Sequence, residues 1–359
     1  MSGYSNIVES VSGPRVVDAS RPVVRVELAV AEAAELLMSL GTAFTDHGAE
    51  NFDVGAERID ELRRSISPDL LEQAKETFDG ENVAAQLLGL VYETAAPRTV
   101  ADFLAHLEAI EPLELQLTVL GYYARGHHIA EPETIRSAAL GDAAARDALL
   151  AAAGQWAEKC QRIEWVLDIG RETIKSRLVD VLARWNTEVF EPTLDEVRPL
   201  LERDVEEKRA LAASLDPGTF TERATGGIQY TPPPEIRELV FFPSYWFRPW
   251  VLMSEHKHAR IFGYPIASPG PAVELPDLAR LYKALGDERR LALLRLLRQG
   301  PVALGAAAKE VELSKSTTHH HLAILRQAGL VLIRNDEENS YSLRTDRLAE
   351  VGRLLDFRL

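Results

Sequence analysis

The chain has 359 residues, of which 46% are hydrophobic and 26% are charged, and its formal net charge at pH 7 is −15. This length and composition indicate a folded protein of two or three domains and exclude an intrinsically disordered chain. The single cysteine excludes an internal disulfide framework, and a transmembrane helix is excluded because no run of eighteen apolar residues occurs.

Residues 1–22 form a polar segment that is broken by glycine and proline. The segment lacks the apolar core of a secretory signal peptide. We therefore expect a flexible tail over residues 1–22 and a cytoplasmic protein.

Residues 23–272 are predicted to form a large helical domain with a regulatory or dimerisation role. From residue 24 to about residue 214, apolar residues recur at helical spacing, which is typical of helices that bury one face in a core. The longest predicted helix covers residues 155–188 and has the pattern of a central helix. The fold class predicted for the whole chain is mainly α.

The pattern changes after three consecutive prolines at 232–234. Short strands are predicted at about residues 236–266, and the segment 241–250, FFPSYWFRPW, has six aromatic residues in ten. This pattern predicts a short aromatic β-hairpin segment within the helical domain.

The aromatic segment has three interpretations: core packing, a subunit interface, or a pocket for a small-molecule effector. Core packing is favoured because most clustered aromatic side chains in proteins are buried for packing. A pocket would be lined by Tyr245, Trp246, Arg248 and Trp250. Arg248 would then provide a clamp for a carboxylate.

A metal site is considered at His256 and His258, because alternation along a strand would place both imidazoles on one face. No third ligand is evident beside them, and we therefore expect no metal. We also expect no other cofactor and no enzyme activity, since the sequence contains no phosphate-binding loop, dinucleotide fingerprint or nucleophile elbow.

Residues 273–359 are predicted to form a second domain. Helical patterns at 278–285, 291–297 and 304–311 precede a helix that is capped by Ser314 and ends at Gly329. A strand, a polar turn at 335–339 and a second strand follow, and a last helix begins near Asp346. This order predicts a winged helix-turn-helix.

The helix after Ser314 has two distinct faces. Its inner face carries Thr318, His321, Leu322 and Leu325, at the spacing of a buried stripe. Its outer face carries Lys315, Ser316, Thr317, His319, His320 and Ala323. The three consecutive histidines do not predict a metal site, because adjacent helical residues point about 100° apart.

Residues 281–290, LYKALGDERR, and residues 314–331 closely resemble the ArsR (arsenical-resistance repressor) family of transcriptional regulators. The resemblance covers about residues 277–359. It implies a winged helix-turn-helix that binds double-stranded DNA as a homodimer, in which the first and last helices of the domain form the interface. The helical domain more loosely resembles an uncharacterised domain that accompanies some long ArsR-type regulators.

The charge distribution also indicates DNA binding. Between residues 278 and 334 there are ten Lys and Arg against four acids, whereas residues 1–275 carry a net charge of −18. The residues expected to contact base edges are Ser316, Thr317, His319 and His320. Those expected to contact phosphates are Lys315, Arg326 and Arg334. Three acids at residues 336–338 predict a wing tip that phosphates repel.

The sequence therefore predicts a sequence-specific DNA-binding transcriptional regulator. Its helical domain would form the dimer, sense an effector, or do both. Two alternatives remain: a protein-binding adaptor with a vestigial winged helix, and an enzyme in the helical domain.

Overall fold

The structure is a computed structural model that describes residues 24–44, 49, 52–78, 82–124, 129–154, 157–266, 281–335, 340–345 and 348. The expected tail at 1–22, the acidic wing tip at 336–338 and nearly all of the last helix lie outside the described residues.

Helices make up most of the N-terminal part. They are α1 Glu32–Phe44, α2 Ala56–Ser65, α3 Pro68–Thr77, α4 Asn82–Glu93, α5 Val100–Ala109, α6 Pro112–Val119, α7 Pro132–Ala139, α8 Ala143–Ala153, α9 Ala157–Asp168, α10 Arg171–Trp185, α11 Glu191–Ser214 and α12 Pro217–Thr225. A π-helical segment, Asn186–Phe190, joins α10 to α11. The prediction of a mainly α protein is confirmed. No helix among the described residues is both long and apolar enough to cross a lipid bilayer.

Helix α1 lies at the centre of the helical domain, and every residue from Ala33 to Ala43 is buried. A helix that is apolar on nearly every side has no face suited to solvent. The prediction of one long central helix over residues 155–188 is wrong, because α9 and α10 are separate. Gly170 lies between them with φ 82° and ψ 146°, a backbone conformation that glycine adopts readily and that is not helical.

A four-stranded sheet packs against these helices. Its strands are β1 Arg25–Leu28, β3 Glu238–Ser244, β4 Leu252–His256 and β5 Ala259–Pro265, in the order β1-β3-β5-β4. Strands β1, β3 and β5 are parallel, and β4 and β5 form an antiparallel hairpin. The predicted aromatic hairpin needs correction: residues 241–250 include the end of β3 and the connection to β4, while the hairpin follows them.

The C-terminal part is a winged helix-turn-helix, as predicted. Its elements are α13, whose described residues are 281–285, α14 Glu288–Leu297, β6 Val302–Ala303, α15 Leu304–Glu310, α16 Lys315–Gln327, β7 Val331–Asn335 and β8 Ser340–Leu343. They enclose a separate core that includes Leu293, Leu322, Leu325 and Tyr341.

The sheet of the winged helix receives a strand from the helical domain. Strand β2, Ile228–Tyr230, follows α12 and pairs in parallel with β7, which gives the order β2-β7-β8-β6. Glu222 on α12 also forms a 2.6 Å ion pair with Arg344, which follows β8. The two predicted domains therefore share a hydrogen-bonded sheet.

Candidate nucleic-acid interface

The helix-turn-helix unit consists of α15, a short turn and α16. The turn reverses direction at Glu312, with φ 54°, and the Leu313 N–H donates to the Ala308 carbonyl at 3.0 Å. Ser314 is the N-cap of α16, as predicted, because its Oγ accepts the Thr317 N–H at 3.1 Å. At the other end, Gly329 has φ 72°, a conformation suited to glycine.

The inner face of α16 matches the predicted stripe. Thr318, Leu322 and Leu325 are fully buried. The Nδ1 atom of His321 lies 4.0 Å from Oδ1 of Asp287, and this side chain is largely buried. Burial lowers the pKa of His321, and the Asp287 carboxylate opposes this effect. The prediction that His321 is a packing residue rather than a DNA contact agrees with this position.

The turn before α14 lies beside the inner face of α16. Oδ1 of Asp287 accepts the N–H groups of Arg289 at 2.9 Å and Arg290 at 3.0 Å, and so caps α14. The Arg290 guanidinium donates to the Ala284 carbonyl at 2.6 Å and to the Lys283 carbonyl at 2.8 Å, which closes the end of α13. The motif GDERR thus fixes two helix ends beside the inner face of α16.

The first turn of α16 is accessible to solvent. Lys315, Ser316 and Thr317 are exposed, and the Ser314 hydroxyl lies 3.0 Å from the Ser316 hydroxyl. Arg334 on β7 is also exposed. An ammonium group and several hydroxyls at a helix N-terminus are suited to phosphates and base edges. These four predicted DNA contacts lie where a duplex can reach them.

The part of the same face that follows the first turn is covered by the helical domain. The Trp250 ring is stacked on His319 with centroids 6.0 Å apart, and it contacts His320 at 5.7 Å. Ala323, one turn further along, is 3% exposed and belongs to the core cluster of the helical domain. The predicted base contacts His319 and His320 are therefore half-buried in this arrangement.

Arg326, which is predicted to contact phosphate, is not accessible to a phosphate in this arrangement. Arg326 is 3% exposed, and its guanidinium donates to the carbonyl oxygens of Thr225 and Pro249. Burial lowers the pKa of Arg326 to about 10. One sequence signal pointed to this position: Arg326 follows Leu322 by four residues and so lies beside the buried stripe.

The four candidate ligand residues are buried among the aromatic side chains of the helical domain. Tyr245, Trp246, Arg248 and Trp250 are each at most 8% exposed. The Arg248 guanidinium lies 4.5 Å from the centre of the Tyr245 ring and donates to the Tyr245 carbonyl. These contacts lie within the helical domain, and a ligand-binding role for these residues stays a prediction.

Glu35 organises this aromatic segment and was not identified from the sequence. Its Oε1 accepts the N–H groups of Tyr245 at 2.8 Å and Trp246 at 2.9 Å. The side chain is fully buried on α1, and burial raises its pKa to about 7 against the effects of hydrogen bonds from Ser244, Trp246 and Tyr245. Its sequence signal was a carboxylate with apolar residues on both sides, in the stretch 33–38.

The candidate metal pair is not assembled on one face. His256 is buried at the end of β4, and its Nε2 lies 3.1 Å from Oε1 of Glu93. His258 is exposed in the turn after it. The expected alternation fails because the strand ends at His256, before His258 is reached. Among the described residues, no group of three or more His, Cys, Asp or Glu side chains is placed to hold a metal ion.

Comparison with known proteins identifies the C-terminal domain. Residues 287–332 match the family model described as bacterial regulatory protein, arsR family. The chain is 36% identical over 80 residues to the uncharacterised HTH-type transcriptional regulator MJ1325 of Methanocaldococcus jannaschii, covering 22% of this chain and 90% of that protein. It is 38% identical over 71 residues to the uncharacterised HTH-type transcriptional regulator YceK of Bacillus subtilis, covering 19% and 71% respectively.

The chain is also similar in sequence to a protein of solved structure. It is the solution NMR structure of the homodimeric winged helix-turn-helix DNA-binding domain of Mb0332 from Mycobacterium bovis, described as a possible ArsR-family transcriptional regulator. The identity is 30%, the match covers 25% of this chain and 86% of that chain, and the TM-score is 0.22. The family model, and the match at 36% identity over 90% of the length of MJ1325, show that the chain belongs to the ArsR family of bacterial regulatory proteins.

Proposed function

We propose that the protein is a sequence-specific transcriptional regulator that binds operator DNA through α16 as a homodimer. The observation that carries this proposal is the exposed first turn of α16, where Lys315, Ser316 and Thr317 occupy the N-terminus of a capped helix. In helix-turn-helix proteins the N-terminal residues of this helix contact base edges in the major groove. The match of residues 287–332 to the arsR family model supports this proposal.

The test is selection of duplexes from a random library by the purified full-length protein, followed by titration of the enriched duplex at several salt concentrations. We expect a defined motif and an affinity that falls steeply with salt, because Lys and Arg contacts release counterions from DNA. Lys315→Ala should weaken binding, whereas Lys75→Ala, at an exposed position on α3 in the helical domain, should not. A protein-binding adaptor would give no salt-dependent DNA binding.

The homodimer is proposed because of the two-fold symmetry that DNA half-sites impose on their reading helices. Two identical reading helices related by a two-fold axis fit half-sites one helical turn apart, and a closed two-fold dimer is the commonest oligomer. We therefore expect the selected motif to be a pseudo-palindrome. Light scattering of the protein with this duplex should give two chains per duplex. A value of one chain per duplex would contradict the proposal of a homodimer.

We further propose that the helical domain has a binding role, in dimerisation, effector sensing or both, and no catalytic role. An effector held by the aromatic segment would change the fluorescence of Trp250 and also alter DNA affinity, since coupling between two binding sites is reciprocal. A compound library screened by thermal shift, with both measurements on each hit, tests this role. A hit that turns over into a new product would favour the enzyme alternative.

A further inference from the structure

The contact between the helical domain and α16 bears on how DNA binding is controlled, and the inference drawn from it rests on the proposed function. The docking surface of the helical domain consists of Thr225, β2, Pro249 and Trp250. Its counterpart on the winged helix consists of β7 and residues 319–327 of α16.

Several independent contacts hold this interface together. The Gln327 amide donates to the Pro249 carbonyl at 3.1 Å, beside the bonds from Arg326. The Ile333 N–H donates to the Gly227 carbonyl at 2.9 Å, next to the β2–β7 pairing. Together with Trp250 on His319, these contacts combine stacked rings, backbone pairing and a buried cation. Such a combination is typical of a specific interface rather than an incidental touch.

The position of the docking surface conflicts with insertion into DNA. An α-helix with its side chains is about 10–12 Å across and a major groove about 12 Å wide, so little room is left for a protein layer on the inserted face. Trp250 lies on His319 and His320, two of the four predicted base contacts. A duplex approaching the exposed first turn would meet the Pro249–Trp250 segment before these imidazoles.

The docking surface also engages cations of the winged helix. Arg326 is buried against the carbonyl oxygens of Thr225 and Pro249, and Arg344 is paired with Glu222. The helical domain belongs to residues 1–275, whose net charge is −18. Docking therefore places a strongly acidic domain beside the basic surface that would bind DNA phosphates. The helical domain and the DNA then compete for the same face of the winged helix.

We propose that the docked arrangement is an autoinhibited form, and that α16 engages DNA fully only after the winged helix separates from the docking surface of the helical domain. The apparent association constant for DNA is then the intrinsic association constant multiplied by the fraction of molecules that are undocked. By the same linkage, any molecule that binds the helical domain in the undocked form raises DNA affinity, and one that binds the docked form lowers it.

The first test removes the covering ring with Trp250→Ala in the full-length protein. We expect its Kd for the selected duplex to be tenfold or more below the wild-type Kd, an order of magnitude set by the shift in docked population. Trp165→Ala, at a half-buried tryptophan on α9, is the matched control and should leave the Kd unchanged. A folded Trp250→Ala protein that binds no tighter than wild type overturns the proposal.

A reversible lock provides a second test that does not depend on the folding of the Trp250 variant. Gln229 on β2 and Arg334 on β7 are register partners, and neighbouring strands are close enough for a disulfide between cysteines at such positions. In Gln229→Cys/Arg334→Cys, the oxidised protein should bind the duplex at least tenfold more weakly than the same protein after reduction. Equal affinities overturn the proposal. The loss of Arg334 is common to both states and does not affect the comparison.

These experiments separate this inference from the proposed function. The proposed function is wrong if no duplex is bound at low salt by the wild type, by Trp250→Ala or by the reduced double-cysteine protein. If wild type binds as tightly as the opened forms, DNA binding stands and autoinhibition is wrong.

Discussion

Arg326 on α16 donates a hydrogen bond to the Thr225 carbonyl at the end of α12, and both groups are buried between the helical domain and the winged helix. A residue that the sequence assigned to phosphate thus joins two parts of the protein.

Replacing this arginine distinguishes the two roles. Arg326→Ala leaves the Thr225 carbonyl without this donor, so we expect the free energy of unfolding to fall by about 2 kcal/mol. Urea denaturation measures this loss, and exposed Arg298→Ala is the control. The salt dependence of DNA binding should be unchanged. A salt slope lower by about one, with unaltered stability, would instead indicate a phosphate contact.

The outer face of α16 is expected to divide into base and phosphate contacts. His319→Ala and His320→Ala should relax the sequence preference by about 1–3 kcal/mol of discrimination at the bases they contact. Lys315→Ala should weaken binding to all duplexes and lower the salt slope by about one. Competition titrations with mutated duplexes measure both effects. An unchanged motif in both histidine variants would show that α16 is seated differently in the groove.

The N-cap of α16 offers a test of stability. Ser314 accepts the Thr317 N–H, and Ser314→Ala leaves that group without its capping partner. We expect a loss of about 1 kcal/mol, and a loss of only a few tenths for Ser314→Gly, since glycine is a tolerable N-cap. Thermal and urea unfolding of the two variants give the comparison. Equal losses would argue against a capping role for the hydroxyl.

Glu35 should make stability depend on pH. Its folded pKa of about 7 lies above the ordinary value of 4.5, so the folded state binds more protons than the unfolded chain between these values. The stabilising contribution is therefore fully present below about pH 4.5 and is lost as the pH rises to about 7. The loss is on the order of 3 kcal/mol, at about 1.4 kcal/mol per pKa unit. Burial lowers the pKa of His321, which acts in the opposite direction.

Glu35→Gln isolates this contribution, because the amide oxygen still accepts the two N–H groups but the side chain does not ionise. Urea unfolding should show that the free energy of unfolding of the wild type falls between pH 5 and pH 8. In Glu35→Gln this fall should be smaller by about 3 kcal/mol. Glu32→Gln, on the same helix, retains Glu35 and should retain the wild-type difference. Identical pH profiles for wild type and Glu35→Gln would contradict the assignment.

The winged helix was predictable because its determinants are local. Ser314, the apolar stripe through Leu322 and the terminal Gly329 all lie within one short segment. Each acts through contacts made inside one or two helical turns. The same reasoning placed His321 inward and Ser316 outward, as the structure has them.

The covering of α16 was not predictable because its partners are distant in sequence. Trp250 meets His319 only after two domains are folded and docked, and Glu35 reaches Trp246 across 211 residues. Periodicity reports which face of an element is apolar but not which element covers it. Strand β1 was missed for a different reason, because four residues are too few to show a two-residue period.

The β2–β7 pairing also determines what happens when the winged helix is excised. A fragment beginning at residue 273 lacks β2, and β7 then becomes a sheet edge with unpaired backbone groups. Open edges of this kind recruit strands from other chains and favour aggregation. The isolated winged helix is therefore expected to self-associate through β7. An oligomeric state measured on this fragment would result from the exposed β7 edge and would not be that of the full-length protein.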